Sequence, residues 1–378
     1  MKTAIVSVKH LAFTFTFCAL LVSAGAENPP AAKSFLADWM TKMRLIVPRG
    51  YVCQRAVAAP VIDGKLDDPA WEAAPWTENF VDIEGDAKPK PRLRTRAKML
   101  WDDEYFYVAA EMEEPHVWAT ITKRDAVIFQ DPDFEVFMDP DGDSHDYYEF
   151  EMNALNTGWD LFLPKPYKDG GVAQNEWDIA GLKSAVHIRG TLNDPSDRDE
   201  GWSVEIAFPW KALAAHANRP TPPREGDQWR ISFSRVEWDV ETADGKTTKV
   251  PKTPEHNWVW SPQGVVDMHR PERWGYVQFT SEATPAKVAF RPDSSAFARD
   301  VLHTIYYAQK DYFQKNKRWA ATFDELEFIA RAVDTLSAPS LKITRDGYEC
   351  TITDTQSGEA PRRWRIQQDS RITEITGP

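Results

Sequence analysis

Hydrophobic and polar residues alternate with period two through much of the chain between residues 96 and 280. The pattern is sharpest in two runs, Phe134-Glu135-Val136-Phe137-Met138 and Tyr147-Tyr148-Glu149-Phe150-Glu151-Met152-Asn153. Alternation over about 5–8 residues predicts a half-buried strand. The stretch between the runs, Asp139-Pro140-Asp141-Gly142-Asp143, has the residues of a hairpin loop. Strand side chains point to opposite faces in turn. Tyr148, Phe150 and Met152 are therefore expected in a core, with Glu149, Glu151 and Asn153 in a row on the other face.

The same alternation predicts strands over 96–101, 105–111, 159–163, 186–191, 202–208, 229–238 and 274–280, with a short helical stretch at 211–216. Many short strands with turn residues between them and little helix predict a mainly-β fold, a sandwich or barrel. Pro285 and Pro292 mark a boundary. Beyond it, Val301, Ile305, Ala308 and Tyr312 fall near a helical period. A second helix is expected over 321–332, with Thr322 and Glu325 spaced as a capping box. Short strands at 341–344, 348–352 and 364–367 complete a small α+β segment, 281–378. It either packs on the sandwich or forms a domain of its own.

The N-terminus has Lys2 and Lys9, an uncharged run over 11–22, then Ser23-Ala24-Gly25-Ala26. This order reads as a signal peptide over 1–26, cleaved near Ala26. Its apolar run is short for a membrane span, so the expected product is secreted or periplasmic, with no transmembrane segment in the mature chain. Residues 27–50 read as a linker with a short helix near 35–45. Cys53 and Cys350 remain after cleavage. Export permits a disulfide between them, and two buried free thiols are the alternative.

The formal net charge of −13 argues against nucleic acid, whose binding needs clustered Lys and Arg. It is compatible with a cation or a neutral ligand. Sixteen Trp exceed ordinary usage, and aromatic faces stack on flat ligands such as sugar rings. Most of them must nevertheless be core.

Several motifs in order resemble the family 9 carbohydrate-binding modules. They are Val61-Ile62-Asp63-Gly64 with Asp68-Pro69-Ala70-Trp71, then Leu100-Trp101-Asp102-Asp103-Glu104-Tyr105, then Gln130-Asp131 with Phe134 to Asp139. Tyr148-Glu149-Phe150 and Asn153, Gly201 to Trp210, and Pro271 with Trp274-Gly275-Tyr276-Val277 continue the series. The resemblance implies an antiparallel, jelly-roll-like β-sandwich over 51–280, related to the DOMON group. It also implies a site for a polysaccharide end, and structural calcium. Glu135 and Asn153 match sugar-contacting positions, and Glu151 replaces an Arg of some relatives. The two aromatic clamp slots fall near Ile128 and Phe129, and near Met268 with Trp258 and Trp260 upstream.

Three readings of the acidic face follow. A sugar site needs carboxylates and amides at its edge and an aromatic floor. Glu135, Glu149, Glu151 and Asn153 supply the edge, with Glu205 a further candidate. Trp258 and Trp260 are the expected floor, with Trp101 and Trp159 as alternatives. The partner would be a polysaccharide or oligosaccharide in carbohydrate breakdown. Glycoside hydrolysis, or an accessory role beside it, is the second reading. Its two carboxylates must flank the scissile bond, whereas Glu149 and Glu151 neighbour each other on one face, so no catalytic residue is assigned. A surface interaction protein that has lost the sugar site is a further alternative. The third reading is a structural calcium held by Asp139, Asp141 and Asp143. An EF-hand is excluded, because Gly142 and Phe150 occupy the wrong positions of such a loop. The resemblance to the DOMON group also implies a haem-binding variant with axial Met and His; Met99, His145 and His187 are present, but no spacing selects a pair.

Overall fold

The computed structural model describes residues 46–284, 287–333, 335–355 and 360–375. The expected signal peptide and the helix near 35–45 lie outside the described residues.

Strand β1 (Gly50–Arg55), helix α1 (Pro69–Ala73) and the short β2 (Val81–Asp82) come first. Next are β3 (Thr95–Trp101), β4 (Tyr105–Glu113), β5 (Asp133–Asp139), β6 (Tyr147–Asn153) and β7 (Gly158–Leu163). Then come β8 (Lys183–Arg189), β9 (Gly201–Pro209), α2 (Trp210–Leu213) and β10 (Gln228–Glu237). The hairpin β11 (Val240–Ala243) and β12 (Lys246–Lys249) leads to β13 (His256–Val259) and β14 (Gly275–Ala283). Helix α3 (Ala296–Asn316) opens the last segment, which ends in β15 (Ser340–Ile343), β16 (Tyr348–Asp354), β17 (Arg362–Gln367) and β18 (Ile372–Glu374).

The main sheet runs β7-β6-β5-β10-β14-β1-β3-β4-β9-β8, with β13 on the far half of β10 and β2 beyond it. It curls so that its two ends face each other. Phe150 on β6 meets Phe208 on β9 at 6.0 Å, and Phe106 on β4 meets Phe279 on β14 at 5.8 Å. The result is the expected mainly-β sandwich. It is not purely antiparallel: β1 pairs in parallel with both β14 and β3 and so joins the two layers. Tyr148, Phe150 and Met152 lie in the main core with Val204, Ile206 and Phe208. Each such aromatic or aliphatic side chain contributes about 1.5–3 kcal/mol by burial.

The alternation had predicted half-buried strands. In fact every residue of β5 and β6 is buried. Their polar face is lined by Phe129, just before β5, and by residues of a distant segment, Val266 and Met268.

The C-terminal segment has its own core, with Ile305 and Tyr306 of α3 against Tyr348, Cys350 and Ile366 of its sheet. It docks on the sandwich through charged and polar groups. Asp169, after β7, accepts hydrogen bonds from Tyr306 (2.5 Å), Lys310 (3.0 Å) and Ser370 (2.7 Å). Tyr307 donates to Glu272, and the Lys168 ammonium lies 3.8 Å from the same carboxylate. The β5–β6 turn is held as well: Arg371 pairs with Asp143 at 2.8 Å, the Ile372 amide donates to the Asp143 carbonyl, and Arg299 donates to the Gly142 carbonyl.

One expectation for this region is corrected, and one open alternative is decided. The helix over 321–332 reduces to a 3₁₀ turn, Asp324–Leu326. The capping box does form, with Thr322 and Glu325 bonded both ways. Glu327 then turns left-handed (φ 53°) and ends the helix. Cys53 and Cys350 are both free and sit in different cores, so no disulfide ties the two parts together.

Candidate functional site

Strand register assembles the site. Glu135 lies directly opposite Glu151, Glu151 opposite Trp159, and Glu135 opposite Ser234. One step along, Phe137 faces Glu149. With period two on each strand, Asp133, Glu135, Glu149 and Glu151 share one face with Trp159. A cavity of about 320 Å³ opens above it. Its walls add Glu255, Asp267, Asn257 and His269, with the rings of Phe129, Phe137 and Tyr167. Among the described residues that line it there is no Lys and no Arg.

The carboxylates are deeply buried: Glu135 and Glu149 are 4% exposed and Glu151 is 2%. Burial pushes Glu135 up to about 7, with Glu255 adding to the effect. Burial and the neighbouring Glu135 push both Glu149 and Glu151 well above the usual carboxylate range. Asp133 behaves in the same way for the same reasons. Each is short of partners. Asp133 accepts from the Val236 amide through Oδ1 (3.2 Å), and Glu151 from the Phe129 amide through Oε2 (3.1 Å). Asp133 Oδ2, Glu135 Oε2 and Glu149 Oε2 are buried with no hydrogen-bond partner. His269 Nε2 stands 3.9 Å from Glu149 Oε2. Burial lowers that imidazole to about 4, so it is neutral near pH 7 and cannot compensate the acids.

The aromatic groups come from elsewhere than expected. Trp258 and Trp260 are buried in the sandwich core, 3% and 1% exposed. On β13 it is Asn257 that reaches the cavity, and the period of two turns Trp258 and Trp260 away from it. Trp260 packs on Phe233 at 5.7 Å and closes over Gly275, where a Cβ would come within 2.6 Å of its ring. Trp258 lies between Arg92 and Arg235. Trp159 and Tyr167 border the cavity instead, and Tyr167 is 44% exposed. The two clamp slots hold Phe129 and Met268, both lining it. Trp101 is core.

Asn153 also has a different role. Its amide donates to the Ile121 carbonyl and to Asp131, and its oxygen accepts from the amides of Leu155 and Thr157. Asp131 in turn accepts from Thr120 and Ile121. Both residues are used up holding the 119–121 and 153–157 loops. Glu205 is on the other layer, where it accepts from the Trp71 indole and the amides of Asp63 and Gly64. Met99 lies in the core on β3, while His145 bonds the Asp369 carbonyl and His187 is on β8.

In the β5–β6 turn, Asp139, Asp141 and Asp143 converge, with one oxygen of each within 4.8 Å of the others. Asp139 accepts from the amides of Gly142 and Ser144. Its carboxyl is pushed well up by burial and by Asp141 and Asp143. The hydroxyl of Ser144 is buried beside them without a partner. An all-oxygen donor set with excess negative charge fits a hard cation.

Residues 62–280, well over half of the chain, match the family described as carbohydrate family 9 binding domain-like. The chain belongs to this family. An exoglucanase, XynX, of Acetivibrio thermocellus is 28% identical over 154 residues, 41% of this chain and 12% of that protein. An endo-1,4-beta-xylanase C of Paenibacillus barcinonensis is 31% identical over 191 residues, 50% of this chain and 14% of that protein. The chain thus spans only a small fraction of the curated relatives it matches. Among solved structures, a family 9 carbohydrate-binding module from Caldicellulosiruptor kristjanssonii in complex with cellotriose is similar. It has a TM-score of 0.41 and 17% identity, covering 65% of this chain and 100% of that one. The same organism's family 9 module in complex with glucose gives 0.40 and 15%, over 64% and 100%.

Asp133, Tyr167 and His269 were missed at the sequence level. Asp133 was within reach, since it stands two residues before Glu135 on the same face. Tyr167 and His269 carry no local signal, because loops bring them in.

Proposed function

We propose that this protein binds a polysaccharide or oligosaccharide in the cavity over β5 and β6 and acts in carbohydrate breakdown. The observation that carries this is the pairing of Glu135, Glu149 and Glu151 with Trp159, Tyr167 and Phe129 around one opening. Carboxylates accept hydrogen bonds from sugar hydroxyls, and ring faces cover the apolar C–H faces of a pyranose. Family membership and the xylanase and exoglucanase relatives support a plant cell-wall glycan. The basic, apolar and small-residue order of residues 1–26 supports export. Among the described residues, no helix is long and apolar enough to cross a membrane.

The Asp139, Asp141 and Asp143 loop would hold a structural calcium. Bound there, the ion would offset the charge of three converging carboxylates and fix the turn on which Arg371 and Ile372 dock.

Calorimetry with xylo- and cello-oligosaccharides, together with pull-down on insoluble xylan and cellulose, tests the glycan reading. Saturable binding that weakens in Tyr167→Ala, with an unchanged melting temperature, is expected. No binding to any glycan by a folded protein, with or without calcium, would remove it.

A further inference from the structure

The acids of the cavity ask for more than a sugar. Glu135 and Glu151 face each other across two strands, and like charges placed so are destabilising. Asp133 joins them from the same face, and one oxygen from each of the three lies within 4.8 Å of the others. Two of the three carry a buried oxygen without a partner, Asp133 Oδ2 and Glu135 Oε2. Outside this triad, Glu149 is 4% exposed, lines the same cavity, and also has a partnerless buried oxygen. Stripping water from carboxylates without giving back hydrogen bonds or charge costs free energy. A sugar hydroxyl can donate a hydrogen bond, but it cannot neutralise several adjacent carboxylates. No Lys or Arg among the described lining residues does so either.

We propose that Asp133, Glu135 and Glu151 bind a divalent cation whose open coordination positions face the cavity and receive the hydroxyl oxygens of a bound sugar. The distances agree. A hard cation such as calcium takes about 6–8 oxygens at about 2.3–2.6 Å, so two ligands of one ion are at most about 5 Å apart. The protein leaves coordination positions unfilled. Asp133 Oδ1 is engaged by the Val236 amide and Glu151 Oε2 by the Phe129 amide. Two of the three, Glu135 and Glu151, line about 320 Å³ of space, where adjacent hydroxyls of a pyranose would complete the shell. Trp159, directly opposite Glu151, would then cover the ring. This site is separate from the Asp139, Asp141 and Asp143 turn. Its second half rests on the carbohydrate reading above, whereas the cation site stands without it.

The experiment is calorimetry on the full protein after chelator dialysis, first with calcium chloride and then with xylotetraose and cellotetraose, with and without calcium. The wild type is expected to bind one more calcium ion than Glu151→Gln or Glu135→Gln, with melting temperatures reporting that the variants fold. Removing calcium is expected to weaken oligosaccharide binding at least about tenfold in the wild type. Neither variant should retain that calcium dependence. Equal calcium stoichiometry in wild type and both variants would overturn the proposal. So would oligosaccharide binding that is indifferent to calcium, or selective uptake of chitosan oligomers by a cavity that takes no divalent cation. A calcium ion lost in the variants, with no oligosaccharide bound by any form, would keep the cation site and sink the carbohydrate reading alone.

Discussion

Two regions of this molecule bury acidic side chains, and they treat them in opposite ways. At the junction with the C-terminal segment, Asp169 has Lys168, Lys310, Tyr306 and Ser370 around it. Burial alone would raise Glu272, but the Lys168 charge, the His303 ring and the Tyr307 hydroxyl bring it down to about 2. In the cavity over β5 and β6 the acids face one another, and burial pushes them up. At the junction the acids face cations of the same chain, with the Lys168 ammonium 3.8 Å from Glu272 Oε2, although that oxygen accepts no hydrogen bond. The cavity is left unsatisfied, as a site awaiting a ligand is. Buried charge by itself therefore marks nothing; the lack of a compensating cation does.

The strongest way to break this comparison is to remove one acid from each region. Glu272→Leu removes the acceptor of the Tyr307 hydroxyl and a counter-charge of Lys168, and is expected to cost about 3–5 kcal/mol in urea unfolding. Glu149→Gln removes a repulsion, so stability should stay within about 1 kcal/mol or rise. Equal losses from both would show that the cavity acids are structural too.

Tryptophan draws the same line. Trp260→Ala opens a hole in the sandwich core and should cost about 3–5 kcal/mol. Trp159→Ala should leave the melting temperature nearly unchanged while weakening glycan binding about tenfold, worth about 1.4 kcal/mol. Lost binding with the fold intact in the first variant, and not in the second, would reverse the assignment.

Acid should act on the junction. His303 is buried and neutral, lowered to about 3. Its unfolded form takes up a proton near pH 6.5, so stability falls as pH drops from about 6.5 towards 3. Glu272, depressed to about 2, adds stability that is present above about 4.5 and is lost as pH falls towards 2. The Glu272 shift is worth on the order of 3 kcal/mol and the His303 shift on the order of 5 kcal/mol. Hydrogen-exchange protection across 296–375, corrected for the slower intrinsic exchange in acid, should therefore fall on acidification, and constant protection between pH 7 and 4 would contradict the scheme.

The smallest effect concerns the thiols. With Cys53 and Cys350 free in separate cores, reductant should not move the melting temperature. Both should react with a thiol reagent only in denaturant. A shift on reduction would reveal a covalent tie between the two parts.

The strands were legible because their signal is local. A period of two needs no partner to be read, so the bounds of β6 and the row Glu149, Glu151 emerged from residues 147–153 alone. Membership of the carbohydrate-binding family was legible for a similar reason, as short motifs kept in order. What sequence could not give was which face a residue far along the chain presents. Trp258 and Trp260 were expected over the acids, yet the pairing of β13 with β10 turned them inward. Asn153 had the right type and place, but the loops at 119–121 and 153–157 consumed its hydrogen bonds. The sequence by itself determined the strands, the acidic row and the Asp-rich turn. Only the tertiary structure decided that the row is buried, that Trp159 and Tyr167 border it, and that one oxygen each of Asp133, Glu135 and Glu149 lacks a hydrogen-bond partner. Burial and partnership depend on register and on loops that arrive from a hundred residues away, which no local pattern encodes.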